Sequence, residues 1–179
     1  FNITTIKNKV TRLVGLGSDF SSAEAARSQT VGFSTSTIWG YDFIGIDPAT
    51  GRELFNVNNQ TYDGAQVRTL FNSSDWKPIG DSQADIFGGM RNSFRYKNFN
   101  LNIITSFTYG ADMMIARVLY DNYRVLSNRN INVNIFEDSW VNQGDIAIHP
   151  IITNDNPLIS NSTKYLFDTS HIKLKSISV

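Results

Sequence analysis

Residues 87–109 contain two stretches in which apolar and polar side chains alternate, and this feature limits the possible fold more than any other in the chain. Such alternation is typical of β-strands, because successive side chains of a strand point to opposite faces of its sheet. The stretches cover residues 87–96 and 99–109, and the two residues between them, Lys97 and Asn98, suit a tight turn. The sequence therefore predicts an antiparallel hairpin.

The two faces of this predicted hairpin differ sharply in chemistry. One face is apolar and aromatic. The other face is mainly polar and partly cationic, with Arg91, Ser93 and Arg95 on its first strand. A slip of one residue would mix the two faces, so the pattern itself supports pairing of Phe94 with Leu101. The expected members of the apolar, aromatic face are Met90, Phe94, Tyr96, Phe99, Leu101, Ile103, Phe107 and Tyr109.

Two kinds of surroundings suit such a hairpin, a soluble β-sandwich and a transmembrane β-barrel. The stretches are 10 and 11 residues long, and a tilted strand needs roughly 9–11 residues to cross a bilayer. Aromatic side chains collect at both ends of the apolar face, as they do at the two interfaces of membrane barrels. The pattern leaves both readings open.

Composition narrows the class of protein. Charged residues make up 18% and aromatic residues 12% of the 179 residues, which favours a β-rich extracellular or outer-membrane protein over a cytosolic enzyme. The 16 basic and 16 acidic residues balance, so the total charge gives no reason to expect nucleic acid as a partner. The chain has no cysteine, which excludes disulfides and thiolate chemistry within it.

Two helices are predicted outside the hairpin. Ser21 and Glu24 have the spacing of a capping box, which predicts a short helix near residues 21–27. Apolar side chains at near-helical spacing predict a second helix over residues 110–126.

The remaining segments read as strands and loops. Asp47, Pro48 and Gly51 predict a turn between short extended pieces, because proline presets φ and glycine accepts a positive φ. Strand patterns begin and end the chain, and loops are predicted between them, so that the expected strands cover residues 1–13 and 164–179 and the expected loops cover residues 58–86 and 127–163.

No catalytic, metal-binding or cofactor-binding set emerges from the sequence. The scattered carboxylates and His149 suit solvated or packed positions better than a metal site. Trp39, Tyr41 and Trp140 could stack on a sugar ring, or they could pack the loops that contain them.

Several stretches, in this order and spacing, resemble the SusC/RagA family of TonB-dependent outer-membrane transporters. Asn100 stands where the family usually has aspartate, and His171 stands where it usually has tyrosine. The stretches that carry the resemblance are WGYDFIGIDPATG at 39–51, IGD at 79–81, FGG at 87–89, YKNFNL at 96–101, EDSW at 137–140 and HIKLKSI at 171–177.

The resemblance implies an all-β fold, part of a large antiparallel barrel of about 22 strands with long extracellular loops and short helices. We expect residues 1–179 to be a late segment of that barrel, without the plug and the final strands. The apolar face of the hairpin would then meet lipid, and a bulge near Lys175 would keep the last strand two-faced. The expected strands lie near residues 1–13, 87–96, 99–109 and 164–179, and the expected extracellular loops near 14–86 and 110–163.

The resemblance also implies a function in the bacterial outer membrane. The whole protein would import glycans or peptides, powered by TonB through an N-terminal part that is absent here, together with a SusD-like surface lipoprotein. The predicted helix over residues 113–126 could contact that lipoprotein. No enzyme activity and no cofactor are implied. The alternative is a soluble extracellular β-domain that binds carbohydrate.

Overall fold

The chain is mainly β-structure with a few short helices. The computed structural model describes residues 1–12, 30–115, 130, 133–153 and 159–179. Helices cover Gly64–Leu70 and Val133–Glu137, and single 3-10 turns cover Ser73–Asp75 and Thr163–Tyr165. The strands are β1 (Asn2–Thr5), β2 (Thr37–Gly40), β3 (Asp42–Ile46), β4 (Glu53–Val57), β5 (Gln60–Asp63), β6 (Lys77–Asp81), β7 (Ile86–Tyr96), β8 (Phe99–Tyr109), β9 (Asp112–Met114), β10 (Leu166–Asp168) and β11 (His171–Ser178).

One sheet contains the four strands β1, β7, β8 and β11 in that order, and every neighbouring pair is antiparallel. Strands β7 and β8 are 11 residues each and form the predicted hairpin. Phe94 pairs with Leu101 and Asn92 pairs with Ile103, so the predicted register is confirmed. The turn places Lys97 at a φ of 51°, a left-handed conformation that residues with a side chain adopt at some energetic cost.

The bulge predicted in the last strand is confirmed. The pairing of β11 with β8 shifts register between Leu174 and Ser176, which leaves Lys175 as the extra residue. Before the shift Leu174 pairs with Thr105, and after it Ile177 pairs with Ile103. Because both partners lie on one face of β8, the bulge keeps the apolar residues of β11 on that same face.

The loop predicted over residues 58–86 is wrong, because this segment contains β5, a helix and β6. The Asp63 carboxylate accepts a hydrogen bond from the Gln66 backbone N–H at 2.8 Å, and the Gln66 side chain accepts one from the Asp63 N–H at 2.9 Å. This reciprocal capping box starts the helix Gly64–Leu70. The spacing of Asp63 and Gln66 is a local sequence signal for this helix.

The start of the helix predicted over residues 110–126 is also wrong. Residues Asp112–Met114 form β9, which pairs with β10 through Met113 and Phe167. Phe167 of β10 lies 54 residues after its partner Met113, and this long-range pairing satisfies the backbone here and overrides the local helical spacing. Residues 116–126, and the helix predicted near 21–27, lie outside the described residues.

A small hydrophobic core lies in the segments between the strands of the four-stranded sheet. Its buried members are Tyr41, Phe55, Val57 and Val67, contributed by β4, the helix Gly64–Leu70 and the residue between β2 and β3. Phe43 of β3 and Tyr62 of β5 pack against this cluster, together with Phe71, Trp76 and Ile159. Among the described helices none is long and apolar enough to cross a membrane.

Candidate functional site

The first candidate site is the apolar face of the four-stranded sheet. Antiparallel pairing brings all eight predicted apolar residues of β7 and β8 to one face, with Tyr96 opposite Phe99 at the turn. Phe94 is 58% exposed there, and no described segment covers the face.

The outer strands β1 and β11 extend the same apolar face beyond the eight residues predicted from the sequence. Ile3 lies opposite Gly88 on β7, and Ile172 lies opposite Phe107 on β8. The ring of Phe1 stacks on that of Phe107 with centroids 6.5 Å apart. The sequence signal for β11 was present, since Ile172 and Leu174 alternate, but the membership of β1 depends on its register with β7.

Gly88 allows β1, β7 and β8 to pack closely near the start of β7. A Cβ atom built at this position would lie 2.2 Å from the Asn2 carbonyl oxygen and 2.9 Å from the ring of Phe107. The neighbouring strand and the aromatic ring therefore occupy the space that a side chain would need. A glycine in a strand often marks such a close approach, and Phe107 covers the gap it leaves.

The opposite face of the sheet is polar, and it contains no carboxylate. Arg91 and Arg95 lie on β7, and Lys173 lies opposite Ser106 on the same face. The Ser93 hydroxyl donates to the Asn102 amide oxygen at 2.6 Å across the hairpin. The sheet therefore separates an uncharged apolar surface from a polar surface whose charges are all positive.

The three aromatic residues predicted as ligand or loop contacts pack the segments that contain them. Tyr41 is buried, and its hydroxyl donates to the Asn72 carbonyl at 2.9 Å. Burial raises the pKa of this phenol. Trp39 makes an edge-to-face contact with Phe33 at 4.9 Å. Trp140 contacts the turn at residues 47–51.

The turn predicted at residues 47–51 is confirmed and is held by a distant segment. The Asp47 carboxylate accepts bonds from the Thr50 hydroxyl at 2.6 Å and the Ala49 N–H at 3.0 Å, and these bonds lower the pKa of Asp47. The Trp140 indole N–H donates to the Pro48 carbonyl at 3.0 Å. Gly51 has a φ of 69°, and the ring of Trp140 occupies the space beside it.

A buried ion pair includes Glu53, the first residue of β4 after this turn. The Lys164 ammonium is 2.7 Å from Glu53 Oε1, and the two side chains are 8% and 0% exposed. The other carboxylate oxygen, Oε2, has no hydrogen-bond partner among the described residues. Burial lowers the pKa of Lys164, while the Glu53 carboxylate acts in the opposite direction. The pair joins β4 to the segment that precedes β10.

The charge of the Lys164 ammonium influences the pKa of His149. Burial lowers the pKa of His149, the Lys164 ammonium lowers it further, and the Asp138 carboxylate opposes both. The described residues contain no group of three or more side chains suited to hold a metal ion.

A sheet with one apolar and one polar face, joined by structured excursions between its strands, is typical of a wall section of an outer-membrane β-barrel. The chain is similar to known proteins of that kind. A curated relative, TonB-dependent receptor P3 of Formosa agariphila, is 27% identical over an alignment of 207 residues. The alignment covers 99% of this chain and 19% of the relative. No family model matches.

Solved structures of the RagAB peptide transporter share the fold. One matches 83% of this chain and 16% of its own chain with a TM-score of 0.67 and 18% identity. The "open-open" state of the RagAB peptide importer matches 94% and 18%, with a TM-score of 0.68 and 16% identity. The chain thus spans about a fifth of the length of the proteins it matches.

The comparisons confirm the predicted resemblance to a segment of SusC/RagA-type TonB-dependent transporters. They also confirm the all-β fold class as part of such a barrel. The matched proteins are transporters and receptors of the Gram-negative outer membrane, and they are not enzymes.

Proposed function

We propose that the chain forms part of the wall and the extracellular excursions of a TonB-dependent outer-membrane importer. The observation that carries this proposal is the four-stranded sheet with one continuous apolar face and one polar face. Lipid on one side and a water-filled lumen on the other satisfy both faces, as in outer-membrane barrels. The expected lipid-facing residues are the eight apolar residues predicted on β7 and β8.

A soluble carbohydrate-binding domain is the weaker alternative. In water this sheet would need a second layer over its apolar face, because monomeric soluble proteins rarely expose such a large continuous apolar patch. No described segment packs there, and side chains as large as Phe94 and Ile172 are 58% and 82% exposed.

The orientation follows from the lengths of the connections. Barrels of this kind have short periplasmic turns and longer extracellular loops. The two-residue turn at Lys97 therefore lies on the periplasmic side, and the segments near residues 14–86 and 110–163 lie outside the cell. β7 then runs inward and β8 runs outward.

The sheet needs neighbours in the membrane. β1 and β11 are its two edge strands, and unpaired backbone groups cost several kcal/mol each in lipid. We infer that both edges pair with the rest of a barrel, which encloses a plug and connects to TonB through a part outside this sequence. A SusD-like lipoprotein on the outer surface completes the importer. RagAB is named as a peptide transporter, which favours peptides over glycans as the cargo.

The arrangement of the sheet is tested with single nitroxide labels on the full-length transporter in lipid vesicles. This segment contains no cysteine, so in a transporter whose other cysteines are replaced by serine, Phe94→Cys and Leu101→Cys each introduce one label site on the apolar face. Ser93→Cys and Asn102→Cys, each one residue away, are the matched controls on the polar face. We expect labels on the apolar face to be relaxed by collision with oxygen dissolved in lipid. We expect labels on the polar face to be relaxed by collision with a water-soluble nickel chelate. The reverse pattern would reject the proposal.

The transport function is tested in cells that lack the whole transporter. We expect such cells to lose growth on oligopeptides, and a transporter that cannot contact TonB to give no rescue. Growth that is unaffected by removal of the transporter or of TonB would contradict an importer role.

A further inference from the structure

Strand pairing places three cationic residues on the polar face of the four-stranded sheet. Their partners are alternate residues of β8, and residues that pair across an antiparallel ladder share a face, so all three cations lie on one side. The three residues are exposed. The pairs that fix their positions are Arg95 with Asn100, Arg91 with Ile104, and Lys173 with Ser106.

The three cations form a line along the strands and not a compact cluster. Their partners run from Asn100 to Ser106 of β8, which is about 20 Å along the strand at roughly 3.4 Å per residue. With the turn at Lys97 on the periplasmic side, the line follows the direction of transport. Arg95 is then nearest to the periplasm, and Lys173 is nearest to the cell surface.

The sheet itself provides no counter-charge for this line. Its four strands contain no aspartate or glutamate, and within the described residues none of the three cations forms an ion pair. The neutral pair at the level between Arg91 and Arg95 is occupied with itself, since the Ser93 hydroxyl donates to the Asn102 amide oxygen at 2.6 Å. Any counter-charge must therefore come from outside the sheet.

We propose that this face attracts a soluble anionic cargo during import, with carboxylate or sulfate groups spaced along its length. A lumen wall of one charge sign raises the local concentration of solutes of the opposite sign, and rows of charged side chains set the selectivity of pores in this way. Guanidinium groups form paired hydrogen bonds with carboxylates. The line offers successive positions along the transport direction, which favours a moving cargo over a fixed acidic protein surface.

The inference deepens the proposed import function, on which it rests, by naming the charge of the cargo. The test places a thiol at Asn102→Cys, level with the space between Arg91 and Arg95, in the full-length transporter in lipid vesicles with its other cysteines replaced by serine. Two methanethiosulfonates of similar size, one with a sulfonate and one with a trimethylammonium group, react with this thiol. The ratio of their rates cancels the thiol's own pKa, because both react with the same thiolate.

Relative to the ratio for free mercaptoethanol, the anionic reagent should be favoured about tenfold at low salt. The preference should mostly disappear at about 1 M salt, where the screening length is only about 3 Å.

Two neutral double variants separate the sheet from the excursions. Arg91→Gln with Arg95→Gln removes two cations of the face and should bring the ratio close to that of mercaptoethanol. Arg52→Gln with Lys77→Gln removes two cations of exposed ion pairs in the excursions and should leave the ratio unchanged. Relaxation by oxygen of a nitroxide at Phe94→Cys checks that the sheet stays in place in each variant.

Protection of the same thiol tests the cargo. The thiol at Asn102→Cys reacts with an uncharged methanethiosulfonate in the presence of maltotriose, sulfated maltotriose or trigalacturonate. We expect the two anionic trisaccharides to slow the reaction and maltotriose to have no effect. Arg91→Gln with Arg95→Gln should abolish the protection. The sulfated sugar and the uronate distinguish sulfate from carboxylate as the preferred group.

Equal rates for the two charged reagents, a preference that survives Arg91→Gln with Arg95→Gln, or equal protection by all three sugars would each overturn the proposal. A thiol that reacts with no reagent would also overturn it, and a carbodiimide cross-link from Lys173 to a distant carboxylate would then identify a docked acidic segment as the occupant.

The nitroxide labels of the importer test report which face meets lipid and not the charge of the cargo. Loss of the anion preference with the expected label pattern would therefore reject the anionic cargo alone. The reverse label pattern would reject the importer itself.

Discussion

The four-stranded sheet and the excursions between its strands bury their residues in opposite ways. No residue of β1, β7, β8 or β11 is buried, whereas Phe55 and Tyr165 of the excursions are completely buried. A water-folded protein must hide its apolar side chains from water, and the excursions do so with a core of their own. The sheet leaves them outside, which is the arrangement expected of a surface whose solvent is lipid.

The same division appears in the charges. The four strands of the sheet and its turn contain no aspartate or glutamate, so the excess of acidic residues that balances their positive charge lies in the rest of the chain. The balanced total of the sequence therefore conceals an uneven distribution. The basic residues of the sheet and its turn are Arg91, Arg95, Lys97, Lys173 and Lys175.

The largest difference between the two regions is expected for loss of a phenylalanine. Phe55 is completely buried in the excursion core, and Phe55→Ala should cost about 3–5 kcal/mol of local stability, because truncation leaves a cavity. The measurement is hydrogen exchange of residues 37–81 in the full-length transporter. Phe94→Ala on the sheet is the matched control and should leave this exchange unchanged. If residues 37–81 were equally protected from hydrogen exchange in both variants, the excursions would have no independent hydrophobic core.

The buried ion pair gives a second effect confined to the excursions. Lys164→Met leaves the Glu53 carboxylate buried without its cation, and such losses cost about 3–5 kcal/mol. Glu53→Leu combined with Lys164→Met removes both charges and should restore most of the protection from hydrogen exchange. Lys77→Met breaks the exposed pair with Asp42, and should cost at most about 1 kcal/mol. A double variant as unstable as the single one would mean that packing of the lysine, and not charge, is what matters.

The two regions were also unequally predictable from the sequence. The register of β7 and β8 could be predicted because alternation and a two-residue turn are local signals, and the bulge at Lys175 followed from a local break in that alternation. β9 could not be predicted from residues 112–114, because it exists through pairing with Leu166–Asp168. Local spacing is informative where neighbours in sequence pair, and it misleads where the partner strand is far away.

The candidate site divides in the same way. The apolar residues of the hairpin were placed on one face by counting alone. The partner of Trp140 could not be predicted, since the Pro48 carbonyl that it binds lies 92 residues earlier in the chain. The ion pair of Glu53 and Lys164 joins residues 111 positions apart, so no local sequence pattern predicts it.

Arginine substitutions sharpen the comparison within the sheet itself. Ile103 lies on the apolar face about midway along β8, and Ile103→Arg should destabilise the barrel by about 2–4 kcal/mol, because the charge would lie near the middle of the bilayer. Asn102→Arg, one residue away on the polar face, should cost much less. Urea unfolding of the full-length transporter in lipid vesicles measures both. Equal losses at the two positions would contradict a lipid-facing surface.

The smallest expected effect is a dependence of the excursions on pH. Burial and the nearby Lys164 ammonium lower the pKa of His149 below its ordinary value of 6.5, so the unfolded segment takes up a proton before the folded one does. The stability from neutral His149 is therefore fully present above pH 6.5 and is lost as the pH falls through the lowered folded pKa. Hydrogen exchange of residues 138–151, corrected for the intrinsic effect of pH, should show protection that decreases from pH 7 to pH 5. His149→Gln should reduce this decrease, and Glu53→Leu with Lys164→Met should reduce it in part, since the ammonium that disfavours protonation is then gone. An unchanged pH dependence in His149→Gln would assign the effect to other groups.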